Sequence, residues 1–140
     1  MKRNGLLLTL VVSLGAAGAN AEDWPEWRGK GRQGVWREDG ILETFPKDGL
    51  AVRWRTPIGA GFSGPAVAGG RVFVTDFSRT ERNKGTERLL CLEEKSGRVL
   101  WTREWNADYT GLMETYAIGP RATPTVDGDR VYALGAKGAL

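Results

Sequence analysis

The stretch "LLCLEEKSGRVLW", residues 89–101, decides the fold. Two short apolar runs, 89–92 and 99–101, flank a connection of charged and turn-forming residues. Runs this short, bounded by Gly and Ser, predict two strands joined by a turn and argue against a helix. The second run ends on Trp101, a side chain that brings about 200 Å² of surface and must press on something. Gly97, four residues earlier, can adopt positive φ and lets a ring approach its peptide closely.

Working outward, the strand-and-turn pattern repeats. "PAVAGGRVFV" (65–74) aligns with "PTVDGDRVYA" (124–133), placing Pro65 over Pro124, Val67 over Val126 and Gly69 over Gly128. Arg71 falls over Arg130, Val72 over Val131 and Phe73 over Tyr132. Each copy reads as a short strand, a two-residue turn that needs positive φ, and a second strand. A second echo sets "VRW" (52–54) beside "VLW" (99–101), at a spacing that implies long insertions between similar units. One unit then has strands over 65–68, 71–75, 88–92 and 98–103. "DFSRTERNKGTE" (76–87) reads as a solvated loop between the second and third. The middle strands are apolar at consecutive positions, so both faces must be covered. A four-stranded sheet covered on both faces and repeated along the chain predicts a propeller blade.

With those residues in place, the opening stretch resembles the pyrroloquinoline-quinone-like propeller repeats, whose motif is similar to Ala-x-Asp-x-x-Thr-Gly-x-x-x-Trp. Cys91 stands for the alanine, Glu93 for the aspartate and Ser96 for the threonine, while Gly97 and Trp101 match outright. Glu93 is longer than aspartate and is expected to close the turn less tightly. The resemblance covers roughly residues 50–140 and implies an all-β propeller of four-stranded antiparallel blades. It divides the chain into a signal segment (1–21), a leader (22–50) and the start of the propeller (51–140). One blade falls at about 64–105 and a partial next blade at about 121–140. In that family a tryptophan from one blade stacks on the glycine-bearing turn of the next. Docking roles are therefore implied for Gly97, Trp101, Cys91, Glu93 and Ser96, and for Trp54 through its echo of Trp101. "DWPEWRG" (23–29) resembles the start of many secreted members. Trp24 and Trp27 are expected to anchor this leader on the body, with an exposed sugar-binding aromatic pair as the alternative.

The amino end reads as an export signal. Lys2 and Arg3 precede an apolar run over 6–14, and Ala19-Asn20-Ala21 supplies the small-x-small pattern of a cleavage site at Ala19 and Ala21. The run is too short to span a bilayer, and no cysteine near the cut could carry a lipid anchor. The expected location is periplasmic or secreted. Of 20 basic and 17 acidic residues, Lys2 and Arg3 leave with the signal, so net charge falls from +3 to about +1. A chain this close to neutral has no excess positive charge to draw it to nucleic acid.

Cys91 is the only cysteine, which rules out an intramolecular disulfide, and its apolar neighbours predict a small buried hydrophobe. Histidine is absent, so this stretch holds no Ser–His catalysis and no histidine metal site. "GAGFSG" (59–64) spells a dinucleotide-type glycine pattern, but a proline and a strand follow it where a helix is required. Glu104, Asp108 and Glu114, with Tyr109 and Tyr116, gather in an insertion that reads as a solvated connection, with calcium or substrate binding as the alternative.

After Tyr132 the second unit reads "ALGAKGAL", predicting a turn at 136–138 and a third strand opening at 139–140. Closed propellers need about four to eight blades, so about one and a half blades imply an N-terminal piece of a longer chain that supplies the rest. The function expected is an exported non-catalytic module for interaction or scaffolding, with protein partners and no catalytic, cofactor-binding or metal residue assigned. The lipoprotein of the outer-membrane barrel-assembly machine is the scaffold relative, though this chain lacks its lipid-bearing cysteine. The alternative implied by the resemblance is a quinone-dependent alcohol or sugar dehydrogenase, with PQQ and calcium held only if further blades supply the ligands. The adjacent cysteine pair often found in those enzymes is missing here. Carbohydrate binding through Tyr109 and Tyr116 is a third reading.

Overall fold

Strands β2 (Arg71–Arg79) and β3 (Lys84–Glu93) carry the apolar runs that belong at the centre of a sheet. In the computed structural model, which describes residues 22–112 and 118–140, they pair antiparallel with Phe73 opposite Cys91 and Thr75 opposite Leu89. β1 (Ala66–Ala68) flanks β2 and β4 (Val99–Asp108) flanks β3, giving the order β1-β2-β3-β4. β5 (Thr125–Asp127) and β6 (Arg130–Tyr132) form a second, two-stranded sheet. The fold is all-β, with antiparallel pairing throughout and only a single 3-10 turn (Lys30–Arg32) among the described residues.

The two aligned hairpins turn for the reason their glycines suggest. Gly69 and Gly70 join β1 to β2 at φ values of 57° and 72°, and Gly128 takes φ 59° between β5 and β6. That left-handed region is costly for side-chain-bearing residues and matches the twist of the flanking strands. The sheet is apolar on both faces. Ala66, Phe73, Leu89 and Cys91 line one face, where Trp101, Trp105, Val126, Val131 and Ala133 pack on them. Val74, Leu90 and Leu92 line the other, with Val72 against them. Val126, Val131 and Ala133 come from the second unit, so the first cluster is the seam between the two sheets. Each buried Leu or Phe there contributes about 1.5–3 kcal/mol.

The strands run further than their apolar residues predict. Residues 76–87 do not form a solvated loop: β2 continues to Arg79 and β3 starts at Lys84, leaving a turn in which Thr80 and Glu81 donate to the Lys84 carbonyl. Asp76–Arg79 and Lys84–Glu87 of this stretch are strand residues. Asp76 and Glu87 are 0% and 2% exposed, and Phe77, between them in the pattern, is 2% exposed. β4 likewise extends past 103 to Asp108, because Trp105 and Glu104 stay in register with Glu87 and Arg88. A bulge opposite Cys91/Leu92 absorbs Leu100 and bends β4 where Trp101 must be aimed. The second unit closes as a turn at its end, Gly138 donating to Gly135 and Gly135 to Ala139, and 139–140 form no third strand.

The leader adds itself to the free edge of β1. Trp24 and Val67 exchange both backbone hydrogen bonds, at 2.8 and 2.9 Å, and the Val126 amide of β5 donates to the Pro25 carbonyl at 2.8 Å. Two consecutive leader residues therefore clasp the first strands of both units. The Trp24 ring fills the space a Cβ would need at Gly29, itself at φ 73°. Trp27, expected to be a second anchor, instead stands 62% exposed with the Arg28 guanidinium 5.5 Å from its ring centre. Its backbone neighbours already fix the loop, so the ring is left free.

Candidate functional site

The turn between β3 and β4 is built to receive an aromatic ring. Glu93 and Arg98 close it, with the Glu93 amide donating to the Arg98 carbonyl and the Gly97 amide to the Glu93 carbonyl, both at 2.8 Å. The Ser96 hydroxyl donates to the Glu93 carboxylate, and Arg98 reaches its other oxygen at 3.2 Å. Those contacts, with Ser96 the larger, hold the Glu93 carboxyl below the usual carboxylate range. The extra methylene of Glu93 thus lets its side chain bridge Ser96 and Arg98. Gly97 takes φ 70°, and a Cβ there would collide with the six-membered ring of Trp54. Trp54 Nε1 donates to the Glu94 carbonyl at 2.7 Å and the Thr56 hydroxyl to the Gly97 carbonyl at 2.6 Å. A strand-like segment preceding β1 is thereby docked by one indole and two hydrogen bonds onto the glycine turn of the first sheet.

Trp101, on β4, faces the second unit. Its ring centre lies 6.0 Å from that of Phe73, tilted by 51°, and Arg103 stands 5.8 Å away over the indole. The ring belongs to the cluster shared with Val126 and Val131 and lines a cleft of about 500 Å³ between the two hairpins, together with Phe73 and Arg71. Cys91 lies beneath it, opposite Trp101 in the ladder and 0% exposed, and burial pushes its thiol up.

Two buried carboxylates anchor the same framework. Glu87 accepts from Trp105 Nε1 at 2.6 Å, from the Tyr109 hydroxyl, and from the Ala136 amide of the second unit at 3.0 Å. Burial, then the bond to Glu87, pushes the Tyr109 phenol far above its ordinary range, and its ring meets Phe77 edge-on at 4.8 Å. Asp76 binds Arg88 through both oxygens, at 2.8 and 2.5 Å, and accepts from the Gly59 amide. The "GAGFSG" segment follows: Ala60 and Phe77 exchange backbone bonds, and Ser63 contacts Thr75. Neither acid was singled out in the sequence. The signal was present for Glu87, which falls on the same strand face as Leu89 and Cys91.

Among the described residues, Glu104 and Asp108 have separate surroundings. Asp108 accepts from the Thr110 amide at 2.8 Å, and Thr110 holds its carboxyl below the usual range. Glu104 sits exposed opposite Arg88, while Glu114 and Tyr116 lie outside the described residues. Tyr109, read as a sugar-binding aromatic, is 5% exposed and committed to Glu87. Among the described residues no group of three or more His, Cys, Asp or Glu is arranged to hold a metal. Cys91 is sealed in the seam, and Asp76 and Glu87 have their oxygens bound by the fold.

One surface open to a partner is aromatic and basic and lies beside the leader. Phe62 is 52% exposed under the Arg121 guanidinium, 4.7 Å from its ring centre. A cavity of about 330 Å³ next to it is lined by Glu26, Trp27, Arg32, Arg121, Thr123 and Thr125.

A four-stranded sheet apolar on both faces, packed through Trp101 on a second unit that repeats its first hairpin, defines a propeller-repeat protein. This chain belongs to the PQQ-like repeat family described as outer membrane protein assembly factor BamB, whose family model matches residues 33–140. No curated protein and no solved structure matches it. No helix among the described residues is long and apolar enough to cross a membrane.

Proposed function

We propose that the protein is exported and works as a non-catalytic platform, holding protein partners on the propeller surface in the periplasm or outside the cell. The family's description names a factor in outer-membrane protein assembly, which supports an interaction role for this chain. The observation that carries the reading is the commitment of its buried acids. A catalytic carboxylate needs a lone pair aimed into an accessible cavity. Asp76 instead binds Arg88 and Gly59, and Glu87 binds Trp105, Tyr109 and Ala136, so both serve to fix geometry. Support also comes from the exposed Phe62, Trp27 and Arg121 surface, since aromatic residues and Arg are enriched where proteins meet.

The experiment is site-specific photo-crosslinking in an exporting bacterium, with the reactive residue at Phe62 or Trp27. Discrete protein adducts at these positions, absent when the reactive residue is moved to Lys95, are the expected result. Reduction of an electron-accepting dye after adding PQQ and calcium to the purified chain, with no adducts at either position, would overturn it.

A further inference from the structure

We propose that export processing creates a structural cation: cutting after Ala21 turns the Glu22 nitrogen into an ammonium group that pairs with Glu38 and locks the leader onto both units. The inference rests on the export reading above and goes beyond it. The Glu22 backbone nitrogen already donates to Glu38 Oε1, and the Arg37 amide donates back to Glu22 Oε2 at 2.9 Å. Residues 22 and 37–38 thus close the leader into a loop, and both Glu22 and Glu38 are half-buried. Inside that loop Glu26 ties Gly31 and Arg32, Gly34 donates to the Arg28 carbonyl, and Arg37 Nη2 donates to Gln33. The loop engages the body through the clasp of Trp24 and Pro25 on Val67 and Val126, helped by Asp23 at the Gly69 amide.

The cut site predicted from Ala19 and Ala21 falls at the residue whose nitrogen meets Glu38. In the precursor that nitrogen is a neutral amide with a single hydrogen. Processing by a signal peptidase adds water across the Ala21–Glu22 peptide bond. The hydroxyl goes to the Ala21 carbonyl carbon and the hydrogen to the Glu22 nitrogen. The new Ala21 carboxylic acid then gives up its proton, leaving a carboxylate on the signal segment and an ammonium on Glu22. An α-amino group ordinarily titrates near 8, so it carries charge at neutral pH. A charge-assisted hydrogen bond is roughly twice as strong as a neutral one. Removing the signal therefore tightens the loop that holds the first strands of the two units together.

The full chain is expressed with its signal in an exporting bacterium, and the purified product is read first by intact mass and N-terminal sequencing. Glu22 is expected as the first residue. A product that keeps residues 1–21 overturns the export reading, whereas a cut at another position overturns only this inference. The second readout is amide hydrogen exchange at Trp24, Val67 and Val126 in the processed chain, in Glu38→Gln, and in a chain with one glycine inserted between Ala21 and Glu22. Both variants are expected to exchange about two- to five-fold faster at these amides, the range for a partly exposed ion pair, with Leu90 unchanged as the control for global folding. Rates equal to the parent in the glycine insertion, with Glu22 confirmed as the start of the parent, overturn the pairing even if Glu38→Gln fails to fold.

Discussion

The indole of Trp54 lies against the peptide of Gly97, in space that any side chain at position 97 would fill. The contact joins residues from either side of the first sheet's core strands, and it is closed at both ends by hydrogen bonds from Trp54 Nε1 and the Thr56 hydroxyl. Gly97→Ala meets two obstacles, the left-handed backbone at φ 70° and the ring above it. The backbone alone costs about 1–2 kcal/mol. Trp54→Ala is expected to cost about 2–3 kcal/mol, less than a fully buried Trp. Because both changes break one contact, the double variant should fall short of their sum in urea unfolding. Additive losses would show that the ring and the turn do not hold each other.

Glu87 links the sheet to the second unit through the Ala136 amide. Glu87→Ala strands three donors, of which the Tyr109 hydroxyl is buried and Trp105 Nε1 and the Ala136 amide are partly so. At about 1–3 kcal/mol for a buried donor and less for the others, a loss of roughly 2–4 kcal/mol is expected. Glu87→Gln keeps an acceptor and should lose clearly less. Faster exchange of the Ala136 amide in both variants, measured alongside unfolding, checks that the acid acts across the seam.

Tyr109 gives the pH dependence. Burial and Glu87 both favour its neutral phenol, so its folded pKa lies above the ordinary value near 10. The stability this adds is present in full below pH 10 and is lost as pH rises further through the folded value. Absorbance at 295 nm should therefore show one tyrosine that ionises only with alkaline unfolding, and Tyr109→Phe should remove that step. Loss of the bond to Glu87 is expected to cost about 1.5–3 kcal/mol.

Cys91 should be inert to thiol reagents in the folded chain, since the thiol is sealed and its ionisation disfavoured by burial. Labelling rates that rise with urea in step with unfolding are the expected result. Rapid labelling without denaturant would mean that the seam under Trp101 opens.

The sequence made the hairpins legible because Gly69, Gly97 and Gly128 sit where backbone sterics leave few other choices. Trp54, Trp101 and Cys91 were legible through spacing against those turns. The lengths of β2, β3 and β4 were not, since polarity in a single sequence does not distinguish an exposed residue from a partnered one. Asp76 and Glu87 look like loop residues until their partners, Arg88, Gly59, Trp105 and Ala136, are brought beside them by the fold. Trp27 differs in the opposite sense: an aromatic next to an anchor looks like a second one, yet backbone bonds and the Glu26 carboxylate hold its loop without it. The open surface of Phe62 and Arg121 had no signal at all, because neither residue lies in a repeated position with a fixed role.

The clasp of Trp24 and Pro25 has a bearing on the order in which the chain can fold. Its partners, Val67 and Val126, follow 43 and 101 residues later in the chain (67 − 24 and 126 − 25). Contacts so remote in sequence form slowly, after nearer ones have reduced the loop to be closed. The leader residues, made before their partners, are thus among the last to settle, and until the second hairpin is made the leader stays within reach of chaperones and proteases.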